Sequence, residues 1–457
     1  MTPMRRPGAP IRPERWWVVA LACVSACTVA DGNLGRLRAH PDAGAACALN
    51  NPVVSVGGAP TCPGRLAASL LSNALCVCGD AQVATTLVTR GFDSRRGPYA
   101  SMGPNQGGAS VAVNGTYVQR LAGDVDVGGS FSVAGTADMR FTGALTVRGD
   151  FWSAGNVSVT GGTGVSRNAS LAGTFTGKGP LGVAGTLAHG GAVSAIPLYA
   201  GADRPGPVTV PAACPCGPSD LLDIGAIVGA ARTDNDNQAL QIRSDQLAAL
   251  DGSAVTMTLP CGRVYLTAIA GHGDVTVHVN GMTALFVDGS IALAGNLLFD
   301  IVPGAELDVF VRDDAAVVLG TLTLAKQEHP SAGRIWIGGS HPIGPLPSPW
   351  VGMLYAPHAS VSAIVGLTVY GAIFAGSFSG DLTSTFIYDR AVLNAAANCA
   401  APQPAAGACR QCGSCSGGDA CVGGVCSACS TDADCCSLSI CANGSCAPLM
   451  ESTSGPP

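Results

Sequence analysis

GALTVRGDFWSAGNVSVTG, residues 143–161, carries the strongest structural signal of this 457-residue chain. A glycine recurs there at every sixth residue, and the repeat continues to Gly191 with one break at Arg167. The second and fourth residues after each glycine are mostly apolar. This alternation is typical of a β-strand with one buried face, and a glycine at each corner accepts positive φ without strain. The repeat therefore predicts a parallel β-solenoid (β-helix) whose turns stack about 4.8 Å apart.

An earlier glycine series at residues 123, 129 and 135 follows the same rule in a shifted phase. Near the break in the main series, Thr163 and Ala169 occupy inward positions that are only weakly apolar. We therefore expect a bulge or a loop around Arg167. An antiparallel sandwich with glycine-rich turns is the alternative architecture.

The composition restricts the class of protein. Charged residues make up 12% of the chain, aromatic residues make up 5%, and 62 residues are glycine. A mean hydropathy of +0.35 is too high for a disordered chain. The formal net charge is −6, and no basic patch is interleaved with aromatic residues, so we expect no nucleic-acid partner.

Residues 1–27 have the layout of a signal segment. Four arginines precede an apolar run at residues 16–26 that is too short to cross a bilayer. The run ends in Val24-Ser25-Ala26-Cys27, which resembles the lipobox of bacterial lipoproteins. The resemblance implies cleavage before Cys27 and lipid attachment to it, and Thr28 favours an outer-membrane destination. Ordinary secretion is the alternative, and we expect no transmembrane helix after this segment.

Strand-like alternation returns after residue 261 and continues to residue 390. The region contains a Tyr355-Ala-Pro-His-Ala359 turn, a following Gly371-Ala372 strand and a closing Tyr388-Asp389 pair. Together, these marks resemble a domain of unknown function found in bacterial exported proteins, including PilX-type pilus-assembly proteins. The resemblance covers roughly residues 210–395, and it implies a β-solenoid that carries no established activity.

Cysteine usage indicates disulfides in an oxidising compartment. The chain has 20 cysteines, and an even number remains when Cys23 of the signal and Cys27 are set aside. Ten disulfide candidates form a C-terminal module: Cys409, Cys412, Cys415, Cys421, Cys426, Cys429, Cys435, Cys436, Cys441 and Cys446. The part after Cys429 resembles Dickkopf-like or knottin-like extracellular modules, and zinc binding at the closely spaced first three is the alternative. The remaining eight would pair within the body: Cys47, Cys62, Cys76, Cys78, Cys214, Cys216, Cys261 and Cys399.

Residue types that support catalysis are sparse. Residues 101–200 contain four aspartates and no glutamate, whereas catalysis on a solenoid needs clustered acids or bases on neighbouring turns. Asp124 and Asp126 share a strand, and solvated outward side chains are the simpler interpretation. We therefore predict that the protein is not an enzyme and that it has no cofactor.

Two patterns suggest metal binding only weakly. His272, Asp274 and His278 could act as ligands, although surface histidines on strands are commoner than metal sites. Residues 233–237 resemble half a calcium loop that lacks the glycine and the distal glutamate of the complete motif. A helix N-cap at Asn235 or Asp236 explains that segment more simply. We therefore expect no metal site.

These patterns divide the chain into seven segments. They are a lipoprotein signal peptide at 1–27, a linker and cysteine-containing N-terminal segment at 28–100, a glycine-rich hexad β-solenoid at 101–200, a partly helical connector at 201–260, a second β-solenoid region at 261–398, a disulfide-rich module at 399–449 and a disordered tail at 450–457. The fold class is all-β, with short helices predicted at 66–75 and 237–250.

Two functions of different classes fit this organisation. The first is a non-catalytic surface lipoprotein of the cell envelope, with a structural, scaffold or adhesive role and a solenoid that acts as a rigid spacer. Its partners would be the membrane, through the lipid anchor, and a second copy, an envelope or surface protein, or a glycan. The alternative is a carbohydrate-binding or carbohydrate-active β-helix, with a groove lined by aromatic residues. The candidates for that groove are Trp152, Trp336, Trp350 and Tyr355.

Overall fold

The structure, a computed structural model, describes residues 52–101, 107–318 and 320–398, and the backbone of four short strands between residues 420 and 448. Strands make up 46% of the protein and form a parallel β-solenoid of about 14 turns. The predicted fold class is confirmed, and the alternative sandwich is excluded because neighbouring body strands pair in parallel. No helix in the described ranges is long and apolar enough to cross a membrane.

The first block of the solenoid follows the glycine repeat and contains three short strands per turn. Most of these strands have two buried residues flanking an outward one, as alternation predicts. After the hairpin β1 (Val54–Val56) and β2 (Ala59–Thr61), the strands are β3 (Leu75–Val77), β4 (Ala81–Val83), β5 (Leu87–Phe92), β6 (Val111–Val113), β7 (Tyr117–Gln119), β8 (Val125–Val127), β9 (Phe131–Val133), β10 (Met139–Phe141), β11 (Leu145–Val147), β12 (Phe151–Ser153), β13 (Val157–Val159), β14 (Thr163–Val165), β15 (Ala169–Leu171), β16 (Phe175–Gly177), β17 (Leu181–His189), β18 (Val193–Ser194) and β19 (Leu198–Pro205).

The second block has longer turns and strands. Its strands are β20 (Leu250–Asp251), β21 (Val255–Leu259), β22 (Gly262–Leu266), β23 (Ile269–His272), β24 (Val275–Val279), β25 (Thr283–Val287), β26 (Ile291–Ala294), β27 (Leu297–Ile301), β28 (Leu307–Val311), β29 (Ala315–Val318), β30 (Leu322–Thr323), β31 (Gly333–Ile337), β32 (Trp350–Ala363), β33 (Leu367–Gly380) and β34 (Ser384–Asp389). The helices are α1 (Pro63–Leu70), α2 (Ile224–Ala231) and α3 (Asn237–Leu240), with 3-10 turns at Ser94–Arg96, Tyr99–Ser101, Pro330–Ala332 and Arg390–Asn398.

The two blocks form one stack, in the reverse of their order in the sequence. β33 pairs with β3 and β4, and β34 pairs with β5. On their other edges, β3, β4 and β5 pair with β6, β7 and β8. Residues 75–92, predicted to belong to the linker and cysteine-containing segment 28–100, therefore form the turn that joins the blocks. Their strands begin at six-residue intervals, but Asn73 and Thr85 replace glycine at two corners, so the glycine spacing does not extend to this turn.

Residues 206–249 connect the end of the first block to the start of the second along the outside of the stack. Two disulfides fix this connector to the joining turn, Cys76–Cys214 and Cys78–Cys216, with Cα atoms 5.9 and 5.5 Å apart. α2 then packs against β25 and β28.

Both predicted helices are shorter than expected. The helix predicted at 237–250 is limited to α3, because the next residues pair with the following turn instead. The Thr267 N–H donates to the Ser244 carbonyl, and the Ala270 N–H donates to the Leu247 carbonyl. The helix predicted at 66–75 occupies 63–70, because Leu75 begins β3.

The hexad glycines serve a purpose other than the one expected. None of the series between residues 123 and 191 has positive φ. The glycines stack in columns along the corners, where adjacent turns approach closely. A Cβ atom on Gly173 would lie 2.7 Å from the carbonyl oxygen of Gly155 in the preceding turn. The repeat therefore reflects a lack of space for side chains.

The expectation of a bulge around Arg167 is wrong. β14 and β15 on either side of it keep a regular register, and Thr163 and Ala169 are buried. The guanidinium of Arg167 lies 3.4 Å from the carboxylate of Asp150 in the preceding turn. The register shifts instead between Val183 and Thr186, where the long strand β17 passes from one face of the solenoid to the next.

The two ends of the stack differ. At the β20–β22 end, the side chain of Asn237 accepts a hydrogen bond from the Tyr265 N–H and donates one to the Tyr265 carbonyl, which covers the edge of β22. At the other end, β19 pairs with β17 alone among the described strands. Pro205 lies in β19, and Asp203 takes the register position of the inward Leu187. Both features discourage the addition of a further strand.

Four strands of the predicted C-terminal module are described by their backbone. β35 (Ala420–Val422) pairs with β36 (Val425–Ser427), and β37 (Ser439–Ala442) pairs with β38 (Ser445–Pro448), as antiparallel hairpins. Cys421 is opposite Cys426, and Cys441 is opposite Cys446. The other predictions for residues 399–457, and those for residues 1–51 including Cys27, lie outside the described residues.

Candidate functional site

The aspartates at the corners of the solenoid hold neighbouring turns together. Asp124 accepts a hydrogen bond of 2.8 Å from the Ala144 N–H one turn later, and Asp150 accepts one of 3.1 Å from the Asn168 N–H. Backbone N–H groups of the next turn also donate to Asp80, Asn156, Asn168, Asp274 and Asn296, and the side-chain amide of Asn156 donates to Asp138. Sequence reasoning missed this role, although several of these residues directly follow a corner glycine.

Asp126, the second member of the predicted strand pair, has partners of its own. It lies 2.5 Å from Arg90 in the joining turn and 3.3 Å from Arg148 in the following turn. Asp124 and Asp126 are thus each bound to groups in adjacent turns. Such carboxylates stabilise the stack by satisfying buried or half-buried donors.

The aromatic side chains proposed for a glycan groove are packed inside the protein. Trp336 and Tyr355 are fully buried, and Trp350 is 3% exposed. The indole N–H of Trp350 donates to the Gly352 carbonyl at 3.2 Å. Of the four candidates, Trp152 alone is half-buried on an outward strand position. The four residues therefore do not line a common open groove.

Trp336 and Tyr355 belong instead to an aromatic ladder on the outward face of the second block. Its successive ring centroids are 4.8 to 5.7 Å apart, and the ladder runs through Phe286, Phe310, Trp336, Tyr355 and Phe374. The connector covers this ladder, and the Tyr355 hydroxyl accepts a hydrogen bond of 3.1 Å from the Leu222 N–H. Burial raises the pKa of Tyr355 to about 12. The ladder thus binds the connector to the solenoid.

A buried ionic cluster lies beside the ladder. Arg334 donates to both carboxylate oxygens of Asp308 at 2.7 Å and to Glu306 at 2.6 Å, and the Trp336 indole N–H donates to Asp308 at 2.9 Å. Arg334 and Asp308 are 2% and 3% exposed. Burial lowers the pKa of Arg334, but the charges of Asp308 and Glu306 outweigh burial and raise the pKa above its ordinary value. With these partners, the cluster is suited to holding strands β28 and β31 in place.

A cavity of about 340 Å³ adjoins this cluster. Its walls are mainly apolar, and Arg95, Lys326 and His329 contribute polar groups. Ala397, at the end of the described body, lines this cavity, and Pro52, at its beginning, lines a smaller adjoining pocket. The chain therefore enters and leaves the solenoid at neighbouring points on its side.

The histidines and acids proposed as metal ligands are not brought together. Asp274 accepts hydrogen bonds from Asn296, whereas His278 lies 3.1 Å from Asp300. In the described ranges, no group of three or more His, Cys, Asp or Glu residues has an arrangement that could hold a metal ion.

The half calcium loop binds arginine instead. Asp234 lies 2.6 Å from Arg263, and Asp236 accepts a hydrogen bond from the Arg263 N–H at 2.7 Å. Asp236 is the N-cap residue of α3 but makes no side-chain capping bond. Asn235 makes a different bond at the start of the helix, because its side chain accepts a hydrogen bond of 3.1 Å from the N–H of Asn237, the first residue of α3.

A second ionic cluster joins the connector to the second block. Asp288 contacts Arg312 and the Tyr265 hydroxyl on the solenoid, and Arg232 after α2 donates to it through Nε at 3.0 Å. Burial would raise the pKa of Asp288, but the hydrogen bond from Tyr265 and the two arginines outweigh it and lower that pKa. The carboxylate is thus held in its charged form in the folded protein.

We expect the Asp288→Asn substitution to lower the urea midpoint of unfolding at pH 7. The difference from the parent protein should shrink as the pH falls below about 4. A carboxylate with a lowered pKa contributes stability above its unfolded-state pKa of about 3.9, and this contribution is lost as the pH falls through the folded-state pKa. Urea titrations between pH 7 and pH 2 test this, and a difference that stays constant over the whole range would contradict it.

Six of the eight cysteines predicted to pair within the body lie in the described residues, and all six are disulfide-bonded. Besides the two bonds of the connector, Cys62 and Cys261 are also disulfide-bonded. The cysteines of the Cys76–Cys214 bond are almost fully buried, whereas those of the Cys78–Cys216 bond are half-buried. These bonds fasten peripheral segments to the stack.

No curated protein and no solved structure matched the chain. One family model matches a part of the chain that includes most of the connector and the whole second block. Residues 218–395 match the sequence model of a family described as a domain of unknown function (DUF7305).

Proposed function

We propose that this protein is a non-catalytic structural component of the cell envelope, exported and anchored in the outer membrane through a lipid on Cys27. The observation that carries the proposal is the continuous stack of about 14 turns, in which the acids sought for catalysis are committed to contacts between turns. The burial of Trp336, Trp350 and Tyr355 also supports a scaffold over a glycan-binding groove.

The scaffold does not act as an axial spacer, because the described body begins and ends at one place on the side of the stack. At about 4.8 Å per turn, the stack is roughly 65 Å long. Pro52 and Ala397 lie at neighbouring points on its side, so the length of the stack does not separate the two ends of the described body.

Membrane fractionation of the Cys27→Ser variant tests the anchor. The parent protein is expected in the outer-membrane fraction, with the mass of a lipid-modified Cys27. The variant is expected in the soluble fraction, because a lipid anchor supplies most of the membrane affinity of such a protein. An unmodified parent protein in the soluble fraction would refute the lipoprotein part of the proposal.

Crosslinking on intact cells tests the scaffold part. A structural component should yield crosslinks to an envelope protein or to a second copy, and purified protein should not bind a glycan array. Glycan binding that is lost in Trp152→Ala would favour the carbohydrate-binding alternative, since Trp152 is the accessible member of the four candidates.

A further inference from the structure

One corner of the solenoid follows the same register through four consecutive turns. Ala363 of β32 pairs with Gly380 of β33, which pairs with Val83 of β4, which pairs with Gln119 of β7. The residues that follow these four therefore stack at one corner. The Asp381 N–H donates to the Ala363 carbonyl, and Thr85 lies 3.4 Å from Thr383 through their hydroxyls.

This corner carries an unusual set of exposed apolar side chains. Ile364, Val365, Leu382 and Leu121 are 59%, 57%, 48% and 56% exposed. They are four of the nine exposed large apolar side chains among the described residues. We call these four residues the apolar ridge. The turn that contains β4 contributes no exposed large apolar side chain to this corner, because Thr85 occupies the equivalent position.

The size and shape of the ridge indicate what covers it. A stable protein interface buries about 800 Å² on each partner, which is more than four half-exposed side chains on a narrow corner can supply. The ridge is convex, so it does not form a groove for a peptide. A few apolar side chains that project from a convex edge can instead enter the interface of a bilayer, where they add to the affinity of a lipid anchor.

The charges beside the ridge define the kind of lipid surface. Arg120 and Asp381 flank it, with their charged groups 4.0 Å apart. Such a pair is neutral overall, and it gives no preference for anionic headgroups. A zwitterionic phospholipid surface therefore fits the ridge.

We propose that the apolar ridge rests in the interface of a zwitterionic phospholipid bilayer and holds the solenoid flat against the membrane. The inference rests on the proposed lipid anchor, which brings the protein to the bilayer. It adds a defined contact surface and an orientation in which the axis of the stack runs parallel to the membrane.

Tryptophan quenching by brominated phosphatidylcholine tests the ridge. The full mature protein is prepared as Leu382→Trp, with Thr136→Trp, an exposed position at another corner, as the matched control. Each is bound to vesicles through its lipid or, if Cys27 proves unmodified, through an N-terminal histidine tag on chelating lipids. The second route keeps the test independent of natural lipidation, so failure of the anchor and failure of the ridge are distinguishable.

Brominated lipid is expected to quench the emission added by Leu382→Trp by at least a third, and to leave that of Thr136→Trp within a tenth of its value in ordinary vesicles. Equal quenching at the two positions, or none at either, would overturn the proposal. Sedimentation velocity without lipid measures whether the parent protein is a monomer or a dimer. A dimer of the parent protein that Leu382→Asp converts to a monomer would assign the ridge to a second copy and also overturn the proposal.

Discussion

Replacing Arg334 with leucine is expected to lower the free energy of unfolding by about 3–5 kcal/mol. Asp308 is 3% exposed and takes both of its strong ionic hydrogen bonds from Arg334. Without the guanidinium, the Asp308 carboxylate loses its compensating charge at a site that water barely reaches. Removing one partner of a buried ion pair costs more stability than replacing both partners with apolar residues. Urea unfolding followed by circular dichroism at pH 7 measures the loss.

Two further variants test this interpretation. In Arg334→Leu/Asp308→Leu, part of the loss should be recovered, because the double substitution no longer leaves the Asp308 carboxylate uncompensated. Arg243→Leu is the control, because it removes an arginine whose pair with Asp245 is largely exposed, and its urea midpoint should match that of the parent. If Arg334→Leu and Arg243→Leu behaved alike, the buried cluster would have no special part in stability.

Replacing Gly173 with alanine is expected to cost about 3 kcal/mol, at the upper end of the usual penalty for overpacking. The added Cβ atom would lie 2.7 Å from the carbonyl carbon and oxygen of Gly155 and 2.8 Å from the Asn156 nitrogen. All three are backbone atoms of the adjacent turn, so they cannot rotate away. The two turns would have to separate and weaken their ladder hydrogen bonds.

Gly164→Ala is the matched control. Gly164 lies in β14 of the same block, and a Cβ atom there would meet no atom within 4 Å. We expect this substitution to be neutral or to stabilise by about 0.5 kcal/mol, because alanine restricts the unfolded chain. Thermal unfolding of both variants shows whether the glycines are required by lack of space at the corners or by backbone flexibility. If the glycines served flexibility alone, Gly173→Ala would cost no more than Gly164→Ala.

The candidate site was the least predictable part of the molecule. Tryptophans and tyrosines on strands suggest a groove when the sequence is considered alone, since nothing local distinguishes an open outward face from a covered one. The connector decides whether this face is open or covered, because it packs on β25 and β28 and its Leu222 N–H donates to the Tyr355 hydroxyl. The ionic partners of Arg334 are equally hidden, because Asp308 precedes it by 26 residues and becomes its neighbour only through the pairing of β28 with β31. The roles of Asp124 and Asp150 depend in the same way on an adjacent turn.

The sequence by itself determined that the chain forms a parallel solenoid, with corners at six-residue intervals in the first block, because alternation and glycine spacing act within a few residues of one another. It also predicted the disulfide bonds of the body. Tertiary structure alone decided the order of the turns. Leu75 pairs with Ile373, and this pairing depends on the match between two exposed strand edges that lie far apart along the chain. Neither edge carries a local signal for its partner, so the joining turn, the connector that closes it and the apolar ridge beside it exist only in the folded stack.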